Sequence, residues 1–388
     1  MAEGRVTIFG RCRVYGALRE AKRSLEAAMG TFRSKTSKGA RRQIAIKDAE
    51  IVALRRELTR ARGEEPSPGA ASTASFFVVG YQKSGTTWLM QMLDSHPEIL
   101  CKGEGRFFGG GWRQKSVKRI DARRPPSSLY NAVLDAEYLR LWIERSVWSR
   151  NDDTEEHLTN LTRMAIHYFL TGELSKTNKR LVGDKSPLLT PETMEEIARI
   201  YPEARVIHII RDGRDAAVSA AHHSWNFGKA RKKSYEESAK RESARRAPRE
   251  LKEAGESIFA KDQLRKIAAE WAARVGRAME DGPVLLGDHY SEVQYEGLSM
   301  KSEERVRRLL EFLGAEAGDE TVRRCVESAS FERLSRGRQR GEEDPSSFFR
   351  KGIAGDWQNV FTEEDKRVFK EEAGDLLIKL GYEESDQW

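Results

Sequence analysis

The sequence predicts an α/β protein: a three-layer fold with a central, mostly parallel sheet flanked by helices, preceded by an N-terminal helical arm. Three observations carry this. Short runs at 76–79 (FFVV) and 205–210 (RVIHII), rich in aromatic and β-branched residues, read as buried strands. After each run the apolar spacing changes to that of a helix face. This strand-to-helix alternation continues through residues 75–330, the pattern of a parallel sheet covered on both faces.

Residues 1–70 form the arm. They hold 16 Lys/Arg against 8 Asp/Glu, so the net charge of +7 for 388 residues belongs to the arm and the body is near neutral. A helix is expected over 43–62, where Ile44, Ile51 and Leu58 recur every seven residues with Leu54 between them. It reads either as a short coiled coil, through which the chain would form a homo-oligomer, or as an amphipathic helix laid on its own domain. Charge runs are more often solvated faces than nucleic-acid sites, and no nucleic-acid partner is expected. The Glu-Glu-Pro-Ser-Pro-Gly stretch at 64–69 is a linker, which places a domain boundary near residue 70 and a second domain over 71–388.

In the body, the strand at 76–79 is followed by a tight loop, Gly80 to Gly85, and a helix with Leu89, Met90, Met92 and Leu93 on one face. A short strand is expected at 99–101 and helices across 134–174, broken near 150–154. A brief strand at Leu181-Val182 runs into Gly183-Asp184-Lys185-Ser186-Pro187, and a helix starts at Pro191. The strand at 205–210 ends at Arg211, where another helix begins. Residues 228–262 are highly charged and read as exposed helix or lid. A helix is expected over 263–280, strands at 284–286 and 292–296, and helices over 302–313, 319–328 and 363–380.

No run approaches the roughly 18 apolar residues of a membrane span, and no apolar leader opens the chain. Cys12, Cys101 and Cys325 are odd in number and far apart, which predicts reduced thiols and a cytoplasmic setting. With the seven histidines they show no zinc-ligand spacing, and no metal is required by the chemistry below.

The strand–loop–helix at 76–89 has the layout of a phosphate cradle, a P-loop-like element in which loop N–H groups and the positive helix end face an anion. Gly80 and Gly85 are spaced as in a Walker A loop, but Thr86 stands where that loop needs lysine, and Lys83 sits inside the loop instead. Arg211 closes a strand, and Ser219 follows eight residues on, two turns into a helix. An arginine forks onto phosphate with two hydrogen bonds. Arg350-Lys351-Gly352 places two cations beside a glycine, which suits one dianion.

Together these motifs resemble the sulfotransferases that use 3′-phosphoadenosine 5′-phosphosulfate (PAPS). Lys83-Ser84-Gly85-Thr86-Thr87-Trp88 is similar to their 5′-phosphosulfate loop, and Arg211 with Ser219 to their 3′-phosphate site. Residues 350–362 (RKGIAGDWQNVFT) are similar to the C-terminal signature of the cytosolic members. The resemblance implies PAPS as co-substrate, adenine stacked on Trp88 and edged by Tyr295, and further nucleotide contacts from Ser330 and Phe331. It spans residues 76–362.

The loop after the second strand, 102–108 (KGEGRFF), departs from the cytosolic pattern and looks more like that of heparan-type carbohydrate sulfotransferases, whose Glu is the base. Gly183-Asp184-Lys185-Ser186-Pro187 likewise resembles an element of the carbohydrate and tyrosylprotein enzymes, whose Lys lies near the transferred group. The resemblance therefore implies Glu104 as base, Lys185 assisting it, and Lys83 at the leaving oxygen; His222 or His223 is the alternative base. The acceptor implied is a carbohydrate or another polar small molecule. Two other classes remain: a P-loop kinase or NTPase, and a non-catalytic scaffold that uses the basic arm.

Overall fold

A computed structural model describes residues 74–109, 128–134, 136–149, 152–187, 189–227 and 248–388. The helix expected over 43–62, with its self-association, and most of the charged stretch 228–262 lie outside the described residues.

Five strands make one parallel sheet in the order β2-β3-β1-β4-β5: β1 Ala74–Gly80, β2 Ile99–Gly103, β3 Leu181–Ser186, β4 Arg205–Ile210 and β5 Tyr290–Gln294. The central strand shows why both faces are covered. Phe76 and Val78 enter one apolar cluster with Leu89, Ile207 and Leu310, while Phe77 and Val79 enter the other with Val206, Trp271 and Phe369. Side chains alternate across a strand, so a run apolar at every position needs helices on both sides. Helix α1 (Thr86–Asp94) with Ser302–Leu313 and Asp319–Ser328 covers the first face; α2 (Gly213–Phe227), α3 (Lys261–Leu286) and α4 (Glu363–Lys379) cover the second.

From β1 the chain crosses to β2 and β3 on one side; β4 then pairs with β1 on the other. A crevice opens at the carboxyl ends of β1 and β4, where such a reversal leaves room for a ligand. The loops at 81–85 and 104–109 and residue Arg211 leave β1, β2 and β4, respectively, on this same carboxyl edge of the sheet.

Most expected elements are present, β4 and the helices at 302–313 and 319–328 with the expected bounds. Two strand expectations are corrected. Val284-Leu285-Leu286 is not a strand but the end of α3, which runs through Pro283. A three-residue apolar run fits either element. Gly282, inside this helix, packs against the last strand: a Cβ there would lie 2.4 Å from the Tyr290 ring. The last strand ends at Gln294, and Tyr295 opens the next helix, Tyr295–Met300.

Candidate active site

Lys83 occupies the left-handed region, with φ 66°, and Gly85 follows at φ 94° as the N-cap of α1. The turn is closed by the Ser84 N–H donating to the Tyr81 carbonyl at 3.1 Å. Gly85 cannot be replaced without strain: a Cβ there would stand 2.6 Å from the Tyr295 ring. α1 has no side-chain cap, so its first-turn N–H groups have no intrahelical acceptor.

The loop forms one wall of a cavity of about 440 Å³. Lys83, Gly85, Thr86, Thr87 and Trp88 line it from α1 and its loop, Arg211 and Ser219 from β4 and α2, and Arg350, Lys351 and Gly352 from the C-terminal segment. Glu104, His223, Tyr295 and Phe331 complete the sequence-expected residues on its surface. Ser84, Lys185 and Ser330 are not on that surface. The Ser84 side chain is buried, and the Ser330 hydroxyl caps a short helix by accepting the Arg333 N–H.

At one end Trp88 and Tyr295 meet edge to face, 5.3 Å between centroids, and the Trp88 indole N–H donates to the Ala329 carbonyl at 2.8 Å. The Arg211 guanidinium lies 4.4 Å over the Tyr295 ring, donates to the carbonyls of Lys83 and Ile353, and faces Asp215 at 3.6 Å. Asp215 in turn accepts the N–H groups of Gly355 and Trp357, at 2.7 and 3.0 Å, which ties the C-terminal segment to α2. Arg350 pairs with Glu343 and Asp356, and Lys351 reaches Asp356 at 2.7 Å. Burial pushes the Asp356 carboxyl up, but the two cations outweigh it and hold it at about 2.

At the other end the loop after β2 has a marked geometry. Glu104 (φ 66°) and Arg106 (φ 51°) flank Gly105, and both occupy the left-handed region. β3 pins this conformation. The Glu104 N–H donates to the Lys185 carbonyl at 2.7 Å, and the Gly105 N–H to Asp184 Oδ1 at 2.9 Å. The register that pairs Gly103 with Lys185 brings Lys185 Nζ to Glu104 Oε1 at 3.0 Å. The Lys185 side chain is buried and the Glu104 side chain is 60% exposed. Burial raises the Asp184 carboxyl to about 7, against the Gly105 N–H and the Lys185 charge.

Lys83 lies 4.2 Å over the Phe348 ring. Burial lowers its pKa to about 8, with Arg211 and Lys185 adding repulsion and Glu104 opposing it. Of the two histidines, His223 lines the cavity and His222 does not; His222 packs on Trp225, 4.7 Å between centroids. Burial, with repulsion from Lys83, lowers the His223 pKa.

The residues fit a nucleotide bearing phosphate at both ends. Cations and aromatic rings both line the cavity, and two polar atoms, Ser84 Oγ in the loop and Arg211 Nε at the β4 end, are buried with no hydrogen-bond partner among the described residues. Sequence reasoning missed Arg340, Phe348 and Phe349, which also line the cavity. Their proximity to Arg350 in sequence was the available signal.

Residues 74–381 match the family model of the sulfotransferase domain. The chain therefore belongs to the sulfotransferase family of enzymes. Bovine Sulfotransferase 1A1 is 26% identical over an alignment of 113 residues that covers 23% of this chain and 38% of the bovine protein. Among solved structures, mouse sulfotransferase SULT7A1 complexed with PAP is 18% identical, covering 78% of this chain and 85% of that one, with a TM-score of 0.43. Retinol dehydratase in complex with androsterone and inactive cofactor PAP is 19% identical, covering 79% and 81%, with a TM-score of 0.41.

Proposed function

We propose that this chain moves the sulfuryl group of PAPS to a hydroxyl or amine acceptor, with residues 71–388 as the catalytic unit. One observation carries the reading: Lys83, Arg211 and the Arg350-Lys351-Gly352 run, far apart in sequence, line one cavity that also exposes Glu104. Bound PAPS would supply the activated sulfuryl group and the leaving phosphate.

The residues divide the remaining work. Lys83 and the first-turn N–H groups of α1 stand where negative charge would grow on the leaving oxygen. Arg211, Ser219, Arg350, Lys351 and Gly352 hold the 3′ end, and Trp88, Tyr295 and Phe331 hold the base, with Ser330 supporting Phe331 through its cap. Glu104 takes the acceptor proton as the acceptor oxygen bonds to sulfur. Lys185 orients the Glu104 carboxylate from behind. The exposed, loop-borne carboxylate favours a polar acceptor, a sugar hydroxyl or a similar small molecule. His223 is the alternative base, because it shares the cavity wall and burial favours its neutral form.

Single-turnover sulfation separates the two. Glu104→Gln is expected to abolish turnover and leave nucleotide affinity near wild type, while His223→Ala keeps most activity. The reverse pattern would assign the proton to His223.

A further inference from the structure

The cations on the cavity wall are not equal in what they can still offer an anion. Arg350 and Lys351 share two carboxylates, Glu343 and Asp356. Arg211 faces Asp215 at 3.6 Å. Each of these three meets an incoming phosphate with its charge already opposed. Arg340 differs. It lines the cavity, and its guanidinium lies 5.4 Å from the Trp88 ring. Its hydrogen bonds go to neutral oxygens, Ser299 Oγ and, at 3.4 Å, the Gly352 carbonyl. Among the described residues no carboxylate stands within ion-pair distance of it.

The turn that carries Arg340 is built by its neighbour. Arg338 donates to the carbonyls of Glu342, Phe349 and Arg350, knotting residues 338–350. The Gly341 N–H donates to the Lys351 carbonyl at 2.9 Å, so the backbone beside Arg340 runs along the Arg350-Lys351-Gly352 segment. One arginine holds the turn, and the other is left exposed over the cavity.

We propose that Arg340 is a further nucleotide-binding residue, recognising the 3′-phosphate. It supplies the unopposed positive charge that a dianion needs beside a cation pair already neutralised by Glu343 and Asp356. Its bond to the Gly352 carbonyl keeps it at that end, and its reach over Trp88 closes the phosphate pocket against the adenine platform. The inference rests on the nucleotide reading given above.

Adenosine 3′,5′-bisphosphate and 5′-AMP differ only in the 3′-phosphate, so calorimetric titration of both separates the possibilities. For Arg340→Gln the bisphosphate should weaken about tenfold or more, the loss of a hydrogen bond to a charged group. Binding of 5′-AMP should change less than about threefold on the same scale. Arg340→Lys should recover part of the loss, since it keeps the charge without the fork. Equal losses for both nucleotides would assign Arg340 to adenine over Trp88 and overturn the inference, as would no loss for either. Wild-type protein that binds the two nucleotides equally would sink the nucleotide reading itself, and this inference with it. Arg340 is exposed, so unchanged thermal stability in both variants is the folding control.

Discussion

Among the described lysines and arginines that line the cavity, Lys83 is the one whose charge can be switched within a workable pH range. Burial and the neighbouring Arg211 and Lys185 charges place its pKa at about 8 in the free protein. An anion bound at the loop would raise that pKa, because it favours the ammonium form. The sign follows by linkage. Affinity is fully present below the free-protein value and is lost as pH rises from about 8 toward the bound value. A pKa of 8 leaves the group about 90% charged at pH 7 and about 10% at pH 9, so affinity should fall about tenfold across that interval. Calorimetry with adenosine 3′,5′-bisphosphate from pH 7 to pH 9 measures this directly, and phosphate groups with a second pKa near ~6 are already ionised there. Buffers of different ionisation enthalpy should show proton uptake on binding at pH 8.5. Lys83→Arg keeps its charge throughout and should bind with a flat profile. A flat profile in the wild type, or an equal fall in Lys83→Arg, would refute the placement of this ammonium at the bound anion.

Asp184→Asn keeps an acceptor for the Gly105 N–H and removes a carboxyl whose folded-state pKa, about 7, lies above its unfolded value. The folded wild type therefore binds the extra proton between those values and loses that stability as pH rises through about 7. The variant's melting temperature, relative to wild type, should improve from pH 5 to pH 7.5 in a thermal scan. Trp271 is fully buried and donates its indole N–H to the Arg211 carbonyl at 3.2 Å. Trp271→Ala should cost about 3–5 kcal/mol in urea denaturation, and bisphosphate affinity should weaken as Arg211 loses its support. Thr362 and Asp365 form a capping box at the start of α4. Thr362→Ala should cost about 1 kcal/mol and leave nucleotide affinity unchanged.

The cationic wall of the cavity was legible because its signals are local. A Gly-bounded loop between a strand and a helix, an arginine at a strand end and a run of two cations and a glycine each carry their chemistry within a few residues. β4 was legible for a similar reason, since six residues of β-leaning sequence between turns admit one reading. The Glu104 end depends on pairings that no local pattern encodes. That Asp184 Oδ1 holds the Gly105 N–H follows from β2 lying beside β3, which brings residues 79 apart into contact. The burial of Lys185 behind Glu104 follows from the same register. Two adjacent histidines on one helix differ by about 100° in direction, so only the packing of α2 decides that His223 faces the cavity. Arg340 was missed because its distinction is the lack of an opposing carboxylate, which depends on where Glu343 and Asp356 go. The strand expected at 284–286 rested on three apolar residues, too few to tell a strand from the end of a helix, and α3 runs through them.

The central claim is transfer of a sulfuryl group from PAPS, and sulfur-labelled PAPS tests it most directly. The enzyme is incubated with labelled PAPS and small-molecule extracts, and products are followed by mass spectrometry. The account predicts a labelled acceptor that forms together with adenosine 3′,5′-bisphosphate, is lost in Glu104→Gln, and is strongly reduced in Lys83→Ala. Label that stays on the nucleotide in every extract, with the γ-phosphoryl of ATP transferred instead, would contradict it.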